Sequence, residues 1–255
     1  MITGQERRES IIRHLAIHER AKVDDLAALF NVSTVTMRGD LRFLEEAGYV
    51  ARLRGTVVLS QNTAAEIAFA ERRQKHGSDK GRIGMAAAKL VSDGESIILD
   101  AGTTTLEVAR HLKQHESLLV MTNGLDIAME LSHAPGVEII MLGGRLRKTA
   151  LSCSGTQAES SLANHRFDKL FLGVDALEMN RGLTTDHENE ARLNRAMIAI
   201  SDEIIAVTDS SKIGRKSVHL VTNPDGIDRL VTDNRIPDEY VRFLHDEHDV
   251  EIIVS

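Results

Sequence analysis

The sequence predicts an α/β protein that carries a small, mostly helical module with a two-stranded wing at its N-terminal end. Three observations predict it. Residues 26–44 read as a helix, a tight turn and a second helix. Residues 49–59 read as two short strands around a basic turn. From about residue 79 onward, short apolar runs alternate with amphipathic helical stretches, the pattern of an α/β domain with a mostly parallel sheet.

The N-terminal module is built element by element. Residues 4–18 form a first helix, with Ile11, Ile12, Leu15 and Ile17 among its apolar positions. Asp24 and Asp25 open a second helix, where acids favour the positive end of the dipole, although Lys22 ahead of them is a poor cap. Ser33 is a natural N-cap for the third helix, since its hydroxyl can accept a free backbone N–H. Met37, Leu41 and Leu44 fall at i, i+4 and i+7 and share one buried face. That choice turns Val35, Gly39 and Arg42 outward and places Arg38 on the flank. Gly48 can end the helix in a left-handed C-cap. The stretch from Tyr49 to Leu59 then reads as a wing, with Arg52 and Arg54 placed for a phosphate backbone or a minor groove. A helix with a core on one side and arginine on the other suits the DNA major groove. The candidate DNA-contacting residues of this winged helix-turn-helix are Ser33, Thr34, Val35, Thr36, Arg38, Gly39, Arg42, Arg52 and Arg54.

Residues 1–59 are therefore expected to form a DNA-binding domain, residues 60–78 a linker with a helix over Ala64–Arg73, and residues 79–255 a sensing and assembly domain. In the last, helices are expected at Lys80–Val91, Leu106–Gln114, Leu125–Ser132, Glu188–Ser201 and Pro237–His245. Strands are expected at Ser96–Leu99, Leu118–Met121, Val137–Leu142, Lys169–Gly173, Ile204–Val207, Arg229–Thr232 and Val250–Val254.

Open α/β sheets bind ligands beyond the carboxyl ends of their strands. Polar, glycine-rich segments fall there: Asp100-Ala101-Gly102-Thr103-Thr104-Thr105, Thr122-Asn123-Gly124, Gly143-Gly144-Arg145, Gly173-Val174-Asp175 and Asp209-Ser210-Ser211-Lys212. Gly102 permits close backbone approach, and three threonine hydroxyls beside free helix N–H groups would stabilise an anion such as phosphate. As a set, the segments are more than the turns and caps that any one of them could simply be. Asp100, Asp175, Glu190 and Lys212 also supply the groups an aldose–ketose isomerase needs, a carboxylate base and a cation, though the same groups can hold sugar hydroxyls without chemistry.

Both halves resemble one family, the DeoR family of bacterial sugar-catabolism repressors. The helix-turn-helix matches its pattern at Leu26, Ala27, Phe30, Val32, Ser33, Thr36, Arg38, Asp40, Leu41, Leu44, Glu45 and Gly48. It departs at Gly39, where the family usually has a second arginine, and at Arg54-Gly55-Thr56, which lacks the common His-Gly-Gly. The second half matches at Asp93-Gly94, Asp100–Thr105, Thr122-Asn123, Gly143-Gly144, Gly155, Gly173–Asp175, Gly182-Leu183-Thr184, Glu190 and Asp209–Lys212. The resemblance implies a C-terminal fold related to ribose-5-phosphate isomerase and glucosamine-6-phosphate deaminase, and a phosphorylated sugar as effector. It implies phosphate contacts at Gly102, Thr103, Thr104 and Thr105, with Lys212 near the phosphate or sugar. Asp100, Thr122, Asn123, Gly143, Gly144, Arg145, Asp175 and Glu190 complete the expected effector site. A regulator of this kind is expected to bind double-stranded operator DNA as a homodimer or homotetramer, without catalysis.

Composition agrees with that expectation. At 255 residues, 42% hydrophobic and 27% charged, the chain has room for a large domain and a small one. The net charge of −7 is unevenly spread: the first 59 residues carry +1 and the remainder −8. A nearly neutral module can still bind through the local face of Arg38, Arg42, Arg52 and Arg54, helped by assembly. No run of eighteen or more apolar residues occurs, no signal-like apolar core opens the chain, and Cys153 is the sole cysteine, so a cytoplasmic protein without a membrane span or internal disulfide is expected. The pairs His14/His18 and His111/His115 lack further ligands at suitable spacing, so no metal or other cofactor is expected.

Overall fold

The computed structural model describes residues 2–53 and 55–255, and the chain divides into two units at Arg72 and Arg73. In the first unit, helices α1 (Gly4–His18), α2 (Val23–Leu29) and α3 (Thr34–Glu46) accompany strands β1 (Arg20–Lys22), β2 (Val50–Leu53) and β3 (Thr56–Leu59). The strands form an antiparallel sheet in the order β1–β3–β2. Ile11 and Leu15 from α1, Leu26 and Ala27 from α2, Met37, Leu41 and Leu44 from α3, and Val50 and Val57 from the strands make one core. Ile17 stays outside it, 75% exposed. The expected caps are present. The Ser33 hydroxyl accepts from the Thr36 N–H at 3.1 Å, and Gly48 takes a φ of 80° after α3. On the buried side of α3, Asp40 is paired with the Arg7 Nε at 2.7 Å, which ties α1 to α3. Strand β1 was not expected; its three residues offer only one partly buried side chain, Ala21.

Helix α4 (Gln61–Gln74) is followed by α5 (Gly77–Ala88), β4 (Ser96–Leu99), α6 (Thr103–His111), β5 (Leu118–Thr122), α7 (Leu125–Leu131) and β6 (Val137–Met141). Next come β7 (Arg145–Arg147), β8 (Ser152–Ser154), α8 (Thr156–Ser161), β9 (Phe167–Gly173), β10 (Ala176–Glu178), β11 (Gly182–Thr185) and α9 (Glu188–Ile198). The chain ends with β12 (Ser201–Val207), β13 (His219–Thr222), β14 (Arg229–Thr232), α10 (Asp238–Arg242) and β15 (Glu251–Val254). Among the described residues, seven strands form a sheet ordered β15–β14–β12–β9–β4–β5–β6, and every pairing in it is parallel. Both faces are covered, as an all-parallel sheet requires. Ile97, Leu99, Val120, Phe171, Ile205 and Val231 share a cluster with Ile83, Leu106, Ala109 and Ile127 of α5, α6 and α7. Ile98, Met121, Leu170, Leu172 and Ala206 share another with Ala158, Ala191, Leu193 and Met197 of α8 and α9. Helices α5 and α6 approach so closely that a Cβ on Gly84 would lie 2.6 Å from the Glu107 backbone.

Several boundaries differ from the sequence reading. Helix α6 begins at Thr103 rather than Leu106, because the three threonines form its first turn despite their low helix propensity. Strands β9 and β12 start at Phe167 and Ser201, earlier than expected, and α9 stops at Ile198. The stretch expected as one helix from Pro237 is α10 followed by a π-helical turn, Phe243–Glu247. The β7–β8 ribbon and the small β10–β11–β13 sheet were not expected. No helix among the described residues is long and apolar enough to cross a membrane.

The strand order positions the site. From β4 the chain runs outward through β5 and β6, then returns with β9 on the other side of β4 and continues through β12, β14 and β15. The order therefore reverses between β4 and β9, and a crevice opens there at the carboxyl ends.

Candidate functional site

In the first unit, α3 presents Val35, 76% exposed, with Arg38, Gly39 and Arg42 also exposed. Ser33, Thr34 and Thr36 are exposed at its start, where the Thr36 hydroxyl is 2.9 Å from that of Ser33. Apart from its chain neighbours and the helix's own backbone, nothing among the described residues lies within 4 Å of the position a Gly39 Cβ would take, so the outward face is open at that residue. Arg52 on β2 is not free. Its Nε lies 3.2 Å from Glu45, and its guanidinium donates to the Arg38 carbonyl at 3.3 Å. The wing is thereby laced to α3, and an exposed pair of this kind is weak enough to exchange for a phosphate. Arg54 lies outside the described residues. Sequence reasoning missed Phe43, which is 51% exposed with the Arg8 guanidinium 4.0 Å over its ring.

In the second unit, the β4 and β9 ends meet through the Asp100 N–H, which donates to the Phe171 carbonyl at 3.0 Å. Asn123, beyond β5, accepts from the Ala101 N–H at 2.7 Å and donates to the Cys153 carbonyl at 3.5 Å. A Cβ on Gly173 would sit 3.4 Å from an Asp100 carboxylate oxygen, so glycine keeps the two strand ends close. Asp100 is 6% exposed. Burial first, then the charges of Glu190 and Asp175, push its carboxyl up to about 8. The protonated form of this carboxyl is therefore favoured far above the usual carboxylate range.

Gly102 precedes α6 with an extended backbone, and no side chain caps the helix. Its first N–H groups, with Thr103 half-buried and Thr104 8% exposed, form the positive end expected to attract an anion. Thr105 is fully buried and donates to the Gly102 carbonyl at 2.9 Å, so its hydroxyl serves the turn. Thr122 does likewise, accepting from the Gly124 N–H at 3.0 Å. Asp175 is exposed and accepts from the Thr185 hydroxyl at 2.8 Å. Glu190, in the first turn of α9, accepts from the Ser152 hydroxyl at 3.1 Å and pairs with Arg147 at 2.7 Å. Gly143 and Gly144 are exposed at the entry to the ribbon. Gly144 has a φ of 117°, and a Cβ there would lie 2.7 Å from the Ser154 carbonyl oxygen. Arg145 follows, exposed, opposite Ser154.

Asp100, Asn123, Asp175 and Glu190 are thus gathered around the start of α6. Lys212 is half-buried in a 3-10 turn, Ser210–Lys212, and makes no ion pair among the described residues. Sequence reasoning missed Arg147 and Ser152, which reach Glu190 from paired positions of the ribbon. The available signal was the i, i+2 spacing of Arg145 and Arg147, which places both on one face of a strand. Beside them opens a cleft of about 400 Å³.

Comparison with known proteins covers both units. The profile of the DeoR-like helix-turn-helix domain matches residues 7–63, and that of the DeoR C terminal sensor domain matches residues 75–234. A protein of Escherichia coli O157:H7, provisionally named the aga operon transcriptional repressor, is 43% identical over 256 residues, covering 99% of this chain and 95% of its own length. The HTH-type transcriptional repressor GlcR of Bacillus subtilis (strain 168) is 34% identical over 251 residues, covering 98% and 96%. Among solved structures, ribose 5-phosphate isomerase A from Methanocaldococcus jannaschii is 18% identical at a TM-score of 0.40, covering 55% of this chain and 56% of that one, an overlap from which no activity follows.

Proposed function

The chain belongs to the DeoR family of DNA-binding transcriptional regulators, and from that premise we propose that it represses a sugar or sugar-derivative catabolic operon under the control of a phosphorylated sugar. Residues 1–59 read double-stranded operator DNA, residues 60–78 link, and residues 79–255 sense the effector and assemble the chain as a homodimer or homotetramer in the cytoplasm. Arg38 and Arg42 read base edges, with Ser33, Thr34, Val35, Thr36 and Gly39 along the same face, while Arg52 and Arg54 meet the phosphate backbone. Two modules acting together offset the low charge of each. Effector occupancy changes DNA affinity because the ligand binds one arrangement of the assembly better than another.

The observation that carries the sensing half is the pairing of an uncapped helix start with a carboxylate cluster. The N–H groups of α6 at Gly102–Thr104 suit a phosphate, and Asp100, Asp175 and Glu190 beside them suit sugar hydroxyls. Lys212 adds a point charge. Calorimetry on the full chain with a panel of sugar phosphates tests this reading. Thr104→Val and Lys212→Ala are expected to weaken binding and leave ligand-free operator affinity unchanged. Undiminished affinity in both variants would remove these segments from the site.

One observation favours a second reading, a sugar-phosphate isomerase- or deaminase-like enzyme with an attached DNA-binding module. Asp100, pushed up to about 8, has the proton affinity of a general acid or base near neutral pH. We favour binding without turnover, since a DNA reader on the same chain gains from ligand occupancy. Conversion of aldose or amino-sugar phosphates by the purified chain, lost in Asp100→Asn, would establish the enzyme instead.

A further inference from the structure

We propose that Arg147 selects the ligand of the sensing site by donating its Nε–H to a carbonyl or carboxylate oxygen, carried on the sugar at the end remote from the phosphate. This rests on the sugar-phosphate reading given above. Arg147 and Ser152 are partners across the β7–β8 ribbon, and both reach the Glu190 carboxylate, at 2.7 and 3.1 Å. The ribbon is itself fixed to the end of β5. The Cys153 N–H donates to the Asn123 carbonyl and the Leu125 N–H to the Leu151 carbonyl, both at 2.8 Å. Glu190 thus holds one end of the guanidinium in place. The Nε–H is left buried with no acceptor among the described residues. A buried donor without a partner is costly, and an acceptor oxygen that reaches it as the side chain turns toward the cleft would satisfy it.

The cleft supplies the place. It is lined by Arg145, Arg147, Ser154, His187, Asn189 and Glu190, with the exposed Glu188 alongside, and its volume of about 400 Å³ suits a small molecule. Glu190 belongs to this lining, and the ribbon that holds it is tied at Cys153 to Asn123, whose side chain holds the Ala101 N–H, so the cleft adjoins the strand-end site. Arg145 and Asn189 have no hydrogen-bond or ion-pair partner among the described residues, while Glu190 is already taken by Arg147 and Ser152. Such a wall offers more free donors than free acceptors. An oxo oxygen only accepts and satisfies it. A hydroxyl must also place its own proton.

The test uses the full chain, calorimetry and two matched pairs of probes: 6-phosphogluconate against glucitol 6-phosphate, and N-acetylglucosamine 6-phosphate against glucosamine 6-phosphate. The expected result is that the oxo member of at least one pair binds about tenfold tighter or more, and the pair that discriminates tells carboxylate from amide carbonyl. Arg147→Lys keeps a cation for Glu190 but lacks the Nε–H, and is expected to lose the preference with an unchanged ligand-free melting temperature. Arg147→Gln serves where the lysine variant does not fold. Thr104→Val, at the phosphate end, is expected to weaken both members of a pair alike. A preference that survives both Arg147 variants overturns the proposal, as does a wild-type chain that binds sugar phosphates without discriminating either pair. Failure of the wild type to bind any sugar phosphate overturns the underlying reading as well, so the two failures are told apart.

Discussion

The two units present their candidate binding groups in different ways. In the N-terminal unit they stand in solvent: Val35 is 76% exposed, Arg38, Gly39 and Arg42 are exposed, and the core lies on the other face of α3. In the C-terminal unit the most polar groups of the strand ends are withdrawn, with Asp100 6% and Asn123 1% exposed and Thr105 and Thr122 buried outright, while Asp175, Gly143, Gly144 and Arg145 are exposed. The difference suits the partners proposed for each. A duplex is large and rigid, so side chains must project into its groove. A small ligand is enclosed, and its polar groups replace water around groups already held by strand ends.

The contrast is open to attack at two glycines and at the charges. The largest effect is expected at Gly84, in the packed unit. A methyl there would meet the Glu107 backbone, so Gly84→Ala is expected to destabilise by about 1–3 kcal/mol despite its better helix propensity. Thermal or denaturant unfolding reads it, and an unchanged midpoint would mean that α5 and α6 are packed less closely than described. On the exposed face, Arg38→Ala or Arg42→Ala is expected to leave stability within about 0.5 kcal/mol and to weaken operator binding by about 1–3 kcal/mol. A gel shift at fixed salt checks this; two variants that bind like the wild type would place another surface on the DNA.

The buried carboxyl gives the C-terminal unit a pH signature of its own. Asp100 holds its proton up to about 8 when folded, whereas an unfolded aspartate releases it near about 3.9. Between these values the folded state binds more protons, so stability falls as pH rises through that window and is greatest below it. Asp100→Asn is expected to flatten the decline between about pH 5 and pH 8 in urea melts. An equal decline in the variant would assign the pH dependence to other groups. The smallest effect belongs to Gly39, where the space is open. Gly39→Arg is expected to stabilise the chain by about 0.5–1 kcal/mol and to tighten binding to random duplex at low salt. Lower melting with no gain on random duplex would contradict it.

The same contrast governs what could be read in advance. The face of α3 follows from Met37, Leu41 and Leu44 at helical spacing, and the strands of the large sheet follow from apolar runs such as Ser96-Ile97-Ile98-Leu99. Both patterns are local. The β7–β8 ribbon is polar, with Ser152 and Ser154 on one strand and Arg145 and Arg147 on the other, and it lacks the apolar run that marks the strands of the large sheet. Arg147 became visible only when the ribbon and α9 met at Glu190. The roles of Thr105 and Thr122 were obscured for a related reason. Composition counts hydroxyls, but only the turn shows that these two are spent on Gly102 and Gly124.

The placement of β9 beside β4 also bears on the order in which a growing chain matures. The described core of the helix-turn-helix and its wing draws on residues no later than Leu59, so it can form soon after they leave the ribosome. The sensing crevice has no second wall until Phe167–Gly173 has been made, and its carboxylate cluster is incomplete until Glu190 follows. During synthesis there is an interval in which the DNA-reading end is complete and the ligand-reading end is not. On the proposed function, a nascent chain in that interval carries its DNA-binding module before its ligand crevice is finished.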